Sequence, residues 1–224
     1  MKHYYQLKVG LNDLYPNIWR QIIVPASISL DRLSDVIQIV IGWENIASHY
    51  WATASGEFFA EYIPPRKNTG VSLENQMPLF DILNKKGQEM EYMCVIESDD
   101  LSRSDRWRHI ILLEDDHYKL SLYEKEDDRL PFVRCVAGFG KCPPENVGGI
   151  GGFYAYRQIM TERKQPQFGN MFREHGGINC PNCHIYDPNY FDIDTVNREL
   201  KKYCRWSRNR HYLWLEEEDL DSSW

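Results

Sequence analysis

The sequence lacks the segments that carry a chain out of the cell or into a membrane. Its first residues contain no long apolar region and no small-residue cleavage site, so they are not typical of a signal peptide. No apolar run approaches the ~20 residues of a membrane-spanning helix. The chain also has no Asn-x-Ser/Thr acceptor for glycosylation. We therefore expect a cytoplasmic protein that has no membrane partner.

Basic residues are too few for a protein that coats nucleic acid. The chain has 33 acidic residues against 26 Lys and Arg, a net charge of −7, whereas phosphate binding needs clustered basic side chains. The clearest basic run, Arg205–His211, is followed at once by the acidic run Glu216–Asp219. We expect residues 205–224 to form a polar, partly flexible tail. The charge balance favours a protein partner over nucleic acid.

The common motifs of nucleotide-binding and catalytic sites are also missing. Gly-x-x-x-x-Gly-Lys-Ser/Thr, Gly-x-Gly-x-x-Gly, His-Glu-x-x-His and Gly-x-Ser-x-Gly do not occur. The segment Gly148–Gly152 precedes a predicted helix, so its amides could hold an anion, but a tight turn against the sheet explains these glycines better. The sequence therefore leaves enzymatic activity uncertain and favours a non-catalytic protein.

The hydrophobic pattern of the first 62 residues predicts an α+β arrangement. Apolar residues alternate from Tyr5 to Leu11, which is typical of a half-buried strand, and a second apolar run spans Ile18–Val24. A helical stripe over Leu30–Ile41 ends at Gly42, and two further strands follow at His49–Thr53 and Glu57–Tyr62. This β-β-α-β-β order is similar to the start of a β-grasp fold.

The rest of the chain predicts more strands and then helices. A loop is expected over Ile63–Leu73, a short helix over Leu79–Lys86, strands at Met90–Glu97, Arg106–Glu114, Tyr118–Tyr123 and Pro131–Ala137, a helix over Phe153–Arg163, and a last helix capped by Asp192 or Asp194. We predict one α+β domain over residues 1–204, with a mostly antiparallel or mixed sheet and C-terminal helices.

Four segments resemble one known family. They are Pro16–Pro25; Gly42-Trp43 with His49 downstream; Trp107–Ile110; and Cys142–Gly149 followed by Phe191-Asp192 and Val196–Leu200. In these segments the chain resembles the plasmid pRiA4b open-reading-frame-three-like family, also described as passenger proteins of insertion elements. The resemblance implies an α+β fold and, for some relatives, an association with mobile elements. It implies no reaction.

The chain departs from the family pattern in two acidic tracts. Tyr-Asp-Phe-Gly-Asp usually precedes Trp-x-His, but here that region is Tyr92–Glu97 followed by a longer polar loop. The usual Pro-Pro-Glu-Asp ends in Asn146 instead of Asp. If these acidic residues form a site in relatives, two of the acids are absent from this chain.

Six cysteines in a cytoplasmic chain are expected to be thiols or metal ligands rather than disulfides. Cys180-Pro-Asn-Cys183-His matches a haem-attachment pattern, but that chemistry needs export. A structural zinc ion is a better candidate, because the turn offers two thiolates to one tetrahedral ion. The remaining ligands would come from Cys204 and His211, or alternatively from Cys135 and Cys142. Ser207 stands where a second Cys-x-x-Cys would close, and a pair of loop thiols without metal is the alternative.

Trp107 and His109 share one face of a predicted strand, because alternate residues point the same way. His109 is either a core histidine with satisfied ring nitrogens or a groove residue that works with His49 or Glu145. Similarly, Trp19-Arg20 predicts a packed ring and a structural ion pair. Three functional hypotheses follow: a non-catalytic binding protein, an uncharacterised enzyme with a groove around His49, Trp107, His109 and Glu145, or a zinc-stapled nucleic-acid accessory protein.

Overall fold

The structure, a computed structural model, describes residues 3–15, 17–44, 47–61, 70–96, 105–120, 132–162 and 187–204. In these ranges the strands are β1 (Tyr4–Leu11), β2 (Ile18–Pro25), β3 (Ser48–Thr53), β4 (Phe58–Ala60), β5 (Val71–Leu73), β6 (Glu89–Ile96), β7 (Asp105–Tyr118) and β8 (Arg134–Phe139). The helices are α1 (Leu30–Ile41), α2 (Leu79–Ile82), α3 (Gly149–Glu162) and α4 (193–204), and a 3₁₀ turn spans Glu74–Gln76.

The strands form one sheet in the order β5-β4-β3-β6-β7-β1-β2-β8. Neighbouring strands are antiparallel except β4 and β5, which are parallel. The β1-β2 and β3-β4 hairpins are separated in the sheet by β6 and β7. These observations confirm the predicted α+β domain with a mixed sheet, its β-β-α-β-β beginning and its C-terminal helices.

One face of the sheet, called the inner face here, is covered by the helices. Alternate residues of a strand point to the same face, and in β1 the inner residues are Tyr5, Leu7, Val9 and Leu11, all buried. The apolar stripe of α1 joins the same core through Leu30, Leu33, Ile37, Val40 and Ile41. Each such side chain contributes roughly 1.5–3 kcal/mol when it leaves water, so this layer forms the core of the domain.

Two of the predicted capping residues lie at helix ends in the structure. Gly42 ends α1 with a left-handed φ of 89°, and its amide donates to the Gln38 carbonyl at 2.9 Å. Asp192 precedes α4, and its Oδ1 accepts the Thr195 amide at 2.9 Å. No helix in the ranges given above is long and apolar enough to span a membrane.

The helix predicted over Leu79–Lys86 was too long, because it ends after one turn. Leu83 has an extended backbone, with φ −110° and ψ 104°. Beyond it, the Gln88 side-chain oxygen accepts the amides of Asn84 and Lys85, each at 2.8 Å. A side chain therefore replaces the carbonyls that would have continued the helix.

Two strands differ in length from the prediction. β4 is three residues long rather than six, and β7 continues past Glu114 to Tyr118. The strand predicted over Tyr118–Tyr123 therefore begins as the end of β7, and its residues 121–123 lie outside the described part. Pairing with β1 from His109 to Tyr118 accounts for this extension, and no local sequence pattern predicts it.

Two other strands differ in position. β5 lies inside the predicted loop Ile63–Leu73, and three residues are too few to show a period. Its backbone pairs with β4, which supplies the hydrogen bonds that a loop would lack. β8 lies over Arg134–Phe139 rather than Pro131–Ala137, in register with β2.

The glycine-rich segment opens α3 rather than preceding it. α3 begins at Gly149 instead of Phe153. Gly148 and Gly149 have φ values of 93° and 63°, a region that favours glycine. The Gly148 amide donates to Asp105 Oδ2 at 2.8 Å. A carboxylate of the chain itself therefore occupies the end of α3 where the sequence indicated that an anion could bind.

The same segment yields a test of close backbone packing. A Cβ at Gly152 would lie 1.9 Å from the Val147 carbonyl oxygen, whereas a Cβ at Gly151 would meet nothing within 4 Å. We expect Gly152→Ala to lower the free energy of unfolding by at least about 2 kcal/mol, since backbone must move. Gly151→Ala should be neutral or stabilising by up to about 1 kcal/mol, because alanine favours helix.

Urea denaturation of both variants and the unchanged chain measures these effects. Equal midpoints for the two variants would contradict the close approach of Gly152 to Val147.

Candidate functional site

Two of the segments that resemble the family meet at one buried side chain, Arg20, which lies on the inner face of β2. Its Nε donates to the Val40 carbonyl at 2.9 Å. Its Nη1 donates to the carbonyls of Trp19 and Phe139 at 2.8 and 2.9 Å, and its Nη2 donates to the Gly140 carbonyl at 2.9 Å. One guanidinium therefore joins the end of α1, strand β2 and the chain that leaves β8.

The rest of the Arg20 environment is a thiol and an aromatic ring. Nη2 also donates to Cys142 Sγ at 3.0 Å, and the guanidinium carbon lies 3.9 Å from the centre of the Phe191 ring. Among the described residues no carboxylate pairs with Arg20, so the predicted structural ion pair is replaced by carbonyl acceptors and a ring. A Cβ at Gly138 would lie 2.5 Å from Phe191, so this ring also depends on a glycine.

Two tryptophans hold the next residues of the same segment. Trp43 Nε1 donates to the Pro143 carbonyl at 2.8 Å, and Trp107 Nε1 donates to the Glu145 carbonyl at 2.9 Å. The two indole rings are neighbours, with centroids 5.6 Å apart. The Glu145 side chain is buried as well, and its Oε2 accepts the Glu44 amide at 2.8 Å. Trp107 and Glu145, two of the predicted groove residues, therefore meet through the Glu145 backbone.

His109 lies in the interior beside these tryptophans and is 0% exposed. Its Nδ1 lies 3.2 Å from the Tyr92 carbonyl, and its ring packs against Trp43 and Tyr92 with centroids 5.4 and 5.5 Å away. Burial lowers the pKa of His109 to about 4. The imidazole is therefore neutral at pH 7, and Nδ1 carries the proton that it donates to the Tyr92 carbonyl.

A layer of polar side chains from α1 covers Tyr92. Ser34 Oγ lies 2.7 Å from the Tyr92 hydroxyl, and Gln38 Nε2 donates to that hydroxyl at 2.9 Å. Burial raises the pKa of Tyr92 well above its ordinary value and that of the Cys94 thiol to about 12. Within the described residues, His109 Nε2 and Gln38 Oε1 are the buried side-chain atoms that have no hydrogen-bond partner. The interior here is polar but almost completely satisfied.

His49 lies on β3, on the opposite side of Tyr92 from His109, with ring centroids of His49 and Tyr92 5.4 Å apart. Its Nε2 is 3.0 Å from both carboxylate oxygens of Glu74, which follows β5 directly. Trp51 Nε1 also donates to Glu74, at 2.9 Å. Glu74 is 2% exposed. Sequence reasoning missed Glu74, because it follows a predicted loop and lies 25 residues from its histidine partner.

The four predicted groove residues thus lie along one continuous layer beneath α1. From His49 the ring contacts pass through Tyr92 to His109 and then through Trp43 to Trp107. Trp107 and His109 are 0% exposed. The assignment of the four residues as a groove stays a prediction. Trp107 and His109 both have the burial of core side chains.

The zinc ligand sets fall only partly within the described residues. Cys180, Cys183 and His211 lie outside them. Cys204 is buried on α4, where burial raises the pKa of its thiol to about 11. In the part of the chain that the structure describes, no three His, Cys, Asp or Glu side chains form a group suited to a metal ion. Both zinc sets therefore stay predictions.

The alternative pair, Cys135 and Cys142, lies beside Arg20. Burial raises the pKa of Cys135 to about 11 and also raises that of Cys142, while the Arg20 charge opposes both shifts. Zinc needs thiolates, and a guanidinium in contact with a ligand sulfur repels a metal cation. These surroundings suit thiols that pack and accept hydrogen bonds.

Comparison with known proteins gives the family directly. The family model described as plasmid pRiA4b ORF-3-like protein matches residues 3–195. The chain belongs to this family. It is 24% identical over 158 residues to the uncharacterized protein y4hQ of Sinorhizobium fredii (strain NBRC 101917 / NGR234). This alignment covers 70% of this chain and 73% of that protein.

A solved structure supports the fold of this pRiA4b ORF-3-like chain. The crystal structure of a protein of unknown function, MM3350 from Methanosarcina mazei Go1, aligns with a TM-score of 0.63 and 21% identity, over 86% of this chain and 97% of that chain. Both relatives are uncharacterised, so neither assigns a catalytic or binding role.

The family segment Val196–Leu200 also has a structural role, which sequence reasoning did not identify. Asn197 on α4 accepts the Cys135 amide and donates to the Cys135 carbonyl, both at 2.9 Å. Its side chain thereby occupies backbone groups at the free edge of β8, where another strand could otherwise pair. The Tyr203 hydroxyl, further along α4, donates to Asp35 of α1 at 2.9 Å.

Burial of His109 predicts that acid destabilises the protein. The unfolded imidazole has an ordinary pKa of 6.5 and the folded one about 4. The unfolded state therefore binds more protons between these values, and the contribution is complete above pH 6.5 and is lost as pH falls toward 4. Lowering the pH from 7.5 to 5 should cost about 2 kcal/mol through this residue.

The measurement is the free energy of unfolding by urea at the two pH values, for the unchanged chain and His109→Gln. His117→Gln is the matched control, because the His117 side chain is 79% exposed. An unchanged pH dependence in His109→Gln would contradict the assignment of a neutral buried imidazole.

Proposed function

We propose that this chain acts by binding a protein partner through the face of its sheet that points away from the helices, called the outer face here. The observation that carries the proposal is one cross-strand row of side chains, called the apolar row. In register across seven strands it consists of Phe58, Ala52, Glu91, Ile110, Gly10, Trp19 and Phe139.

The apolar row is long and is flanked by further apolar side chains. With strands about 4.8 Å apart, seven strands span roughly 29 Å, close to the width of a standard interface of ~800 Å² per partner. Tyr50 lies in the next row beside Met93, and its ring centroid is 6.5 Å from that of Phe58. Phe58 is 42% exposed. Exposed aromatic and apolar side chains in one patch are typical of protein-binding surfaces.

Several charges on the outer face have partners within the sheet. Arg108 bonds with Glu91, the acid in the row, and Lys8 Nζ lies 5.0 Å from the centre of the Trp19 ring. The Gln6 and Gln21 amides both donate to Glu114. A partner that covers this face would not leave these charges unpaired, and this supports an apolar protein surface as the partner over a polyanion.

The enzyme hypothesis receives less support than binding. The ring nitrogens of Trp43 and Trp107 are used by backbone carbonyls, and His109 is sealed from solvent. Acid–base chemistry would therefore fall to His49 rather than to a groove around Trp107, His109 and Glu145. The zinc-stapled nucleic-acid hypothesis has no support from the described residues. Because the family is described by a plasmid reading frame, we extend the proposal to a partner encoded by mobile elements.

Partner recovery tests the proposal. Tagged chain is expressed in its native host, crosslinked briefly and purified, and co-purifying proteins are quantified. We expect Phe58→Asp to lower recovery of the specific partner at least about tenfold, because an aromatic anchor contributes about 2 kcal/mol or more at an interface.

Phe80→Asp is the matched control, since Phe80 lies on α2 and is 43% exposed against 42% for Phe58. His49→Ala is the control for the enzyme hypothesis. Both should recover the partner as the unchanged chain does. Equal recovery by Phe58→Asp and Phe80→Asp would contradict binding through the apolar row.

A further inference from the structure

We propose that His49 is an acid–base and nucleophilic group, positioned by Glu74, for ligands that carry an electrophilic acyl carbon. The site is separate from the apolar row, because His49 belongs to the inner face of β3 whereas Tyr50 belongs to the outer one. The proposal does not depend on the protein partner, and either can fail without the other.

The position of Glu74 decides where the His49 proton lies. A carboxylate only accepts hydrogen bonds, so the Nε2 that faces it must carry a proton in both the neutral and the charged imidazole. The side chains of His49 and Glu74 are 9% and 3% exposed, so this contact is shielded from water. In this tautomer the other ring nitrogen, Nδ1, presents a lone pair.

Nδ1 of His49 has no hydrogen-bond partner among the described residues. In the described part of the chain, His109 Nε2 and Gln38 Oε1 are the side-chain atoms that are both buried and without a partner. No described residue bonds Nδ1 of His49, so this atom is reached by solvent although the side chain is nine-tenths buried. A histidine held by a buried acid on one nitrogen and open on the other is the arrangement that activates nucleophiles in acyl transfer.

The Asp35 carboxylate on α1 also interacts electrostatically with His49. The Tyr203 hydroxyl on α4 donates to Asp35 at 2.9 Å. Arg32 Nη1 lies 3.4 Å from the Tyr203 hydroxyl.

The reaction with an ester follows from this geometry. Nδ1 attacks the acyl carbon, the bond from that carbon to the leaving oxygen breaks, and the Nε2 proton passes to Glu74, leaving an uncharged acylimidazole. Water then attacks the acyl carbon and the N–C bond breaks. Glu74 returns its proton to Nε2, the product leaves as a carboxylate, and two protons are released, one of which can recombine with the leaving group.

Diethyl pyrocarbonate is a suitable probe, because it places an ethoxycarbonyl group on unprotonated imidazole nitrogens and releases ethanol and carbon dioxide. Rates at each histidine are read by peptide mass spectrometry at pH 7.5. We expect His49 to react at least as fast as the exposed His117, and the sealed His109 to remain unmodified. Glu74→Gln should slow His49 about tenfold or more, since the amide cannot take up the Nε2 proton, and should leave His117 unchanged.

A rate at His49 as low as that at His109, or an unchanged His49 rate in a folded Glu74→Gln chain, would overturn the proposal. If Glu74→Gln does not fold, the unchanged chain decides. Ring nitrogen–proton correlations of neutral His49 by NMR should give the tautomer with hydrogen on Nε2, and hydrogen on Nδ1 would overturn the proposal. Loss of partner binding in Phe58→Asp has no bearing on either readout.

Discussion

The structure depends on a buried guanidinium that has no carboxylate beside it. Moving an ion out of water costs several kcal/mol unless its hydrogen-bonding capacity is met. Arg20 meets that capacity with the carbonyls of Val40, Trp19, Phe139 and Gly140 and with the Cys142 thiol. Those acceptors belong to α1, β2, the end of β8 and the chain beyond it, so the bonds form only when these elements are assembled together.

This interaction explains why the chain resembles its family at segments far apart in sequence. Arg20, Trp43 and Trp107 come from three of those segments. The two indole nitrogens bond the backbone of the fourth, and Arg20 bonds its Cys142 thiol and the Gly140 carbonyl just before it. Asn197 extends the same principle to the edge of β8. These residues of the family segments therefore stabilise the fold. Functional surfaces are to be sought where side chains remain open, at the apolar row and at His49.

The features predicted correctly are those that short stretches determine. Alternation from Tyr5 to Leu11, the stripe of α1, Gly42 and Asp192 depend on neighbours within one or two turns. β5 depends on backbone pairing with β4, and the early end of α2 depends on the Gln88 side chain. Hydrophobic periodicity indicates neither. Alternation placed His109 on the correct face, but only packing by α1 decides that this face is sealed. Glu74 could not be paired with His49 from sequence, since a loop of unknown path separates them.

The most direct test of this account is the stability of Arg20→Lys against Arg108→Lys, measured as the free energy of unfolding in urea. Arg108 lies on the outer face and its side chain is 39% exposed, so it is a matched arginine without the buried acceptors. Lysine at position 20 cannot reach five acceptors with three donors, and we predict a loss of about 3 kcal/mol, against less than about 1 kcal/mol for Arg108→Lys. Equal losses would contradict the central role of Arg20.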